Sequence, residues 1–178
     1  MDANRIARIA RRICATFDSR WDQEKQELVP AGVMDVAKNG QRVFLSESFK
    51  REWNRLFTKF SRNSPDARES INDYYRRSLQ LIKSGMIGKD SSGIEIKLIK
   101  DVKNARGASY YECKQAHIKG TGFHPRIYFA KVPHTSDSIL LEVIDKDGTD
   151  IPTAIMNSLT NAYTAALQND YQNTYSQN

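Results

Sequence analysis

Residues 109–115 (SYYECKQ), 124–132 (HPRIYFAKV) and 138–146 (SILLEVIDK) decide the architecture. Each run is rich in Tyr, Ile, Phe, Val or Leu, and turn-forming residues, among them Gly122, Pro125, Pro133 and Ser138, punctuate them. Aromatic and β-branched runs punctuated in this way predict consecutive strands of an antiparallel meander at 110–115, 126–132 and 139–145. In the middle run the side chains alternate, so Arg126 and Tyr128 share one face while Ile127 and Phe129 share the other. One face is suited to pack on helices, and the other to present a cation and a phenol.

Helical periodicity flanks the meander on both sides. RVFLS alternates as a short strand from 41, and Ser46 or Ser48 then caps a helix at 47–60 whose apolar stripe is Phe49, Trp53, Leu56, Phe57 and Phe60. Ser64 followed by Pro65 starts a second helix at 65–83, because the serine oxygen accepts from a first-turn N–H and proline has none to lose. The tight link SRNS makes the two an αα-hairpin, set on the sheet through Phe49, Trp53, Phe57, Ile71 and Tyr74. Gly85, Gly88, Gly93 and Gly107 mark a long loop with one short extended piece at 94–99, which brings Lys97, Lys100, Lys103 and Arg106 to the sheet beside Arg126. After the meander, Gly148 and Pro152 open a last helix buried through Ile155, Leu159, Ala162, Tyr163 and Ala166.

Residues 1–40 are expected to form a basic amphipathic helix and a linker with a short strand or turn: Ile6, Ile9 or Ala10, Ile13 and Phe17 recur at helical spacing among Arg5, Arg8, Arg11 and Arg12. The tail 168–178 is polar, of low complexity and expected to be disordered. The predicted class is therefore α+β, a small antiparallel sheet with a helical hairpin, a C-terminal helix and a basic N-terminal helix. Lys and Arg number 27 against 21 Asp and Glu, a net charge of +6, which points to RNA or DNA as partner. Cys14 and Cys113 form no CxxC, so neither a disulfide framework nor a zinc site is indicated, and no cofactor is expected. No apolar run reaches membrane-spanning length, and a cytoplasmic location fits.

The element order from residue 41 to about 167, with RIYFAKV at Arg126–Val132, resembles the RelE/ParE superfamily of bacterial toxin–antitoxin toxins. The resemblance implies a concave basic sheet face for ribosome-bound mRNA and metal-free cleavage by attack of the ribose 2′-OH. It implies further that Arg126 holds the scissile phosphate, that Lys97, Lys100 and Lys103 position or activate RNA, and that Glu95 stands where some relatives carry a general base. The sequence departs from the family near the last strand, where EVIDKDGTDIP offers only Lys146 and no tyrosine or histidine as proton donor. His117, His124 and His134 are substitutes by chemistry, and His124 is nearest to Arg126 in sequence.

Three functions follow: a ribosome-dependent mRNA endonuclease, a non-catalytic ParE-like toxin, or a basic nucleic-acid-binding module in which Tyr110, Tyr111, Tyr128 and Phe129 supply stacking surfaces while the loop lysines and Arg106 supply phosphate contacts. Either toxin reading implies an acidic antitoxin partner, and DNA contact through the toxin–antitoxin complex.

Overall fold

The computed structural model describes residues 33–36, 42–62, 64–99, 107–148 and 150–168, all within the compact unit Gly32–Asn178. The expected N-terminal helix and the polar tail from 169 lie outside the described residues, as do Lys100, Lys103 and Arg106.

Alternation and turn chemistry produce seven strands: β1 (Val33–Val36), β2 (Arg42–Leu45), β3 (Gly88–Lys89), β4 (Glu95–Leu98), β5 (Ser109–Lys114), β6 (Pro125–Lys131) and β7 (Ser138–Asp145). They form one α+β sheet in the order β1-β2-β7-β6-β5-β4-β3. The meander strands β5, β6 and β7 lie within a residue of their expected bounds and pair antiparallel, with a register shift between Tyr128 and Phe129. The expectation of a small antiparallel sheet is corrected: β2 runs parallel to β7, so the sheet is mixed, and β1, β3 and β4 widen it. β4 is the short extended piece expected at 94–99, and β1 falls in the segment read as a linker with a short strand or turn.

A parallel pair needs a long crossover. Here the hairpin α1 (Glu47–Ser61) and α2 (Pro65–Ser84) begins the return path. Arg42 fixes where β2 docks, its Nε and Nη2 donating to Asp137 Oδ1 and Oδ2 at 3.3 and 3.2 Å beside the start of β7. Ser46 is the residue that caps α1. Its Oγ accepts from the Phe49 N–H at 3.1 Å and donates to the Leu141 carbonyl, tying the helix start to β7. Ser64 caps α2 as expected, and Gly85, at φ +70°, ends it in a left-handed conformation that costs glycine no Cβ clash.

The two faces of the sheet are both covered. On one, Phe49, Trp53 and Leu56 of α1 meet Ile71, Tyr74, Tyr75 and Leu79 of α2, with the Trp53 and Tyr75 rings stacked at 4.2 Å and the Tyr74 hydroxyl on the Cys113 carbonyl. Phe57 is only half-buried, correcting its place in the stripe, because the spacing 49, 53, 56 already centres the buried face. On the other, α3 (Thr153–Ala166) lays Leu159, Tyr163 and Ala166 over Tyr110, Tyr128, Ala130, Ile139 and Leu141. Among the described residues no helix is long and apolar enough to cross a membrane.

Candidate nucleic-acid interface and the buried charge cluster

Period-2 alternation places Arg126 and Tyr128 on the α3 side of the sheet, and the register sets Glu112 opposite Tyr128 and Lys97 opposite Glu112. These four side chains converge. Arg126 Nη1 donates to Glu112 Oε1 at 2.7 Å, the Tyr128 hydroxyl donates to the same oxygen at 3.1 Å, and Lys97 Nζ stands 3.1 Å from Oε2. The Lys97 approach is an ion pair without hydrogen-bond alignment. Arg126 Nε donates in addition to the Lys146 carbonyl at 3.2 Å.

The expectation that this face presents an open cation and phenol is corrected. Arg126 is 3 % exposed, and Glu112 and Tyr128 are fully buried. The reason is that the same face carries Tyr110, Ala130, Ile139 and Leu141, an apolar surface that α3 must cover. Burial pushes the Tyr128 phenol well above its ordinary range, and the Glu112 charge beside it pushes the same way, so Tyr128 is a hydrogen-bond donor and not an ionising group. Arg126 in this arrangement neutralises a carboxylate.

Of the other expected site residues, Glu95 pairs with Lys114, Nζ to Oε2 at 3.3 Å, and lies two strands from Arg126. Neighbouring strands are about 4.8 Å apart, which sets those backbones roughly 10 Å from each other. His124 is half-buried; its backbone N–H donates to Asp145 Oδ1 at 3.0 Å, its ring Nδ1 is hydrogen-bonded to the Ala116 carbonyl at 2.5 Å, and its ring lies 6.3 Å from the His117 ring. Lys146, partly exposed, donates its backbone N–H to the His124 carbonyl. His124 and Lys146 are thus joined to Arg126 through backbone at the start of β6, while Glu95 is held apart. His134 lies in the turn before β7 at φ +61°. Cys113 is an inert thiol, pushed up to about 12 by burial.

The exposed cations are elsewhere. Arg51, Arg55, Lys59 and Arg62 recur every three or four residues along α1 and its C-cap, and all four are exposed. Such spacing lines them on one helix face, each separated from the next by about 4.5–6 Å of rise. Two carry partial counter-charges: Arg55 Nε donates to Glu52 at 2.9 Å, and Lys59 lies 3.5 Å from Asp145. The hydrogen bond from Arg55 holds the Glu52 carboxyl below its ordinary value. The row ends beside an open pocket of about 460 Å³ at the hairpin turn, lined by Ser61 and Arg62 and by residues of α2 that include Arg68 and Arg76. Sequence reasoning passed over both features, although the spacing 51, 55, 59, 62 is visible in the chain.

The described residues hold no cluster of three or more His, Cys, Asp or Glu placed to bind a metal ion. What the fold and surface define is an α+β protein with a three-layer core, a buried Arg126–Glu112 ion pair flanked by Lys97, and an exposed cationic helix. No family model, no curated protein and no solved structure matches the chain.

Proposed function

We propose that the chain is a nucleic-acid-binding module that grips the phosphate backbone through the outer face of α1. The observation that carries this reading is the row Arg51, Arg55, Lys59 and Arg62, exposed cations set by helical repeat on a chain of net charge +6. Their rise of about 4.5–6 Å per step lets successive side chains meet successive phosphates of one strand. Arginine forks suit phosphate oxygens bidentately, and the aromatic core beneath α1 holds the helix as a rigid platform. Fluorescence anisotropy with labelled RNA and DNA oligonucleotides tests it, with binding expected between about 10⁻⁶ and 10⁻⁴ M at physiological salt. The triple variant Arg51→Gln, Arg55→Gln, Lys59→Gln should bind far more weakly while keeping the parent circular dichroism. Equal affinity in parent and variant would refute the reading.

A second reading, the RelE-like ribosome-dependent mRNA endonuclease, draws on the convergence of Lys97, Glu112, Arg126 and Tyr128 on the strand that carries the family resemblance. Phosphate at Arg126 has to displace the Glu112 carboxylate in that mechanism. Induction in a bacterial host, with growth and primer extension on a reporter mRNA as readouts, separates it from binding alone. Co-elution with an acidic neighbour-encoded protein would place the chain among toxins, catalytic or not.

A further inference from the structure

His117 and His124 are a titratable pair that the cationic row leaves unused. Ile118 and Phe123 form an isolated antiparallel bridge, so the residues one step outside it, His117 and His124, stand opposite one another across the loop. Their rings lie 6.3 Å apart, inclined at 51°. The loop between them is held by its own bonds: the Ile118 N–H to the Phe123 carbonyl at 2.8 Å, Thr121 Oγ1 to the Ile118 carbonyl at 2.7 Å, and the Phe123 N–H to Thr121 Oγ1 at 3.0 Å. Phe123 is fully buried and stacks on Phe60 of α1 at 4.7 Å. Asp145 ties the pair to the row, since its Oδ1 accepts the His124 backbone N–H and its Oδ2 stands 3.5 Å from Lys59.

The surroundings give the two rings different parts. A carbonyl only accepts, so the hydrogen bond between His124 Nδ1 and the Ala116 carbonyl puts the proton on Nδ1 and leaves Nε2 as the lone-pair acceptor of the neutral ring. Asp147 Oδ1 stands 3.8 Å from the same Nδ1 and is itself engaged by the Gly148 N–H. Among the described residues Nε2 has no hydrogen-bond partner, and the side chain keeps 29 % of its surface exposed. His117 is exposed and takes up protons from water. Imidazole changes charge near neutral pH, so one ring of such a pair serves as base while the other serves as acid. Lys119 is exposed two residues after His117, and Lys146 donates its backbone N–H to the His124 carbonyl. A Cβ at Gly120 or Gly122 would meet no atom within 4 Å, so the loop tip beside the rings is open to a polymer.

We infer that His117 and His124 cleave RNA held on α1, an inference that rests on the nucleic-acid reading above. His124 Nε2 takes the proton of a ribose 2′-OH while that oxygen bonds to the adjacent phosphorus; the bond from phosphorus to the 5′-oxygen breaks, and protonated His117 gives its proton to the departing oxygen. The products are a 2′,3′-cyclic phosphate and a 5′-hydroxyl, and proton exchange with water restores both rings. DNA lacks the 2′-OH and stays whole. The experiment incubates a labelled single-stranded RNA, and DNA of the same sequence, with the purified full chain in the absence of ribosomes; a gel reads the products and anisotropy reads binding. The variants are His117→Ala and His124→Asn, because asparagine keeps a side-chain N–H for the Ala116 carbonyl and removes the base. Parent protein should cut RNA to cyclic-phosphate ends and leave DNA intact, and each variant should lower kcat about a hundredfold or more with the parent circular dichroism. His117 is exposed, so its variant reads the chemistry even where a change at 124 loosens the loop. A parent that binds RNA and leaves it whole overturns the inference while backbone binding stands. So does cleavage at the parent rate in both variants, which is also what a contaminating nuclease would give. Failure of both strands to bind overturns the binding function as well.

Discussion

Replacing Arg126 by Met should unfold the chain more readily, by an amount that follows from its partner. Glu112 is fully buried, and removing one member of a buried pair leaves an uncompensated charge at a cost of about 3–5 kcal/mol. Lys97 remains 3.1 Å from Oε2 and Tyr128 still donates to Oε1, which places the expected loss near the lower end, about 3 kcal/mol. For a domain of this size that is a fall in melting temperature of about 6–12 °C. Adding Glu112→Gln removes the buried charge while keeping an acceptor for Tyr128, and should recover more than half of the loss. Urea unfolding of parent, both single variants and the double variant at pH 7 reads all of this. An Arg126→Met protein as stable as the parent would refute the structural role and return Arg126 to candidacy as a phosphate ligand.

Other predictions concern the core and a single carboxylate. Trp53→Ala should cost about 3–5 kcal/mol, since Trp53 is 3 % exposed and stacked on Tyr75 and Phe49; a thermal melt like the parent's would remove it from the core. Burial raises the Glu142 carboxyl even though Ser48 donates to it at 3.2 Å. A carboxyl raised on folding costs stability as pH rises through its unfolded and then its folded value. Glu142→Gln should therefore raise the melting temperature at pH 7 and leave it unchanged near pH 4, where an equal shift at both would disprove the cause.

Much of the fold was legible because it is written in local period. The meander, the αα-hairpin and the C-terminal helix each depend on residues within one segment, and Ser64-Pro65 and Gly85 punctuate α2 as their backbone chemistry requires. The parallel docking of β2 on β7 was not, because it turns on Arg42 meeting Asp137, 95 residues away. Nor was the burial of Arg126. Alternation placed Arg126 and Tyr128 on one face correctly, but the character of that face depends on Tyr110, Ile139 and Leu141 contributed by neighbouring strands. The cationic row lies on the side of α1 opposite its apolar stripe and shares no residue with it. It was legible at the level of spacing; that it stays exposed while the arginine of the sheet does not is a tertiary fact.

The dependence of binding on salt tests the central claim most directly. Each phosphate contact on a single strand contributes about 0.7 to the slope of log K against log salt concentration. The parent, gripping through Arg51, Arg55, Lys59 and Arg62, should show a slope of about −3 or steeper. Replacing Arg51, Arg55 and Lys59 together by Gln should flatten it by about two units with no change in melting temperature beyond that of a surface variant. A slope unaltered by the triple replacement would contradict α1 as the nucleic-acid face.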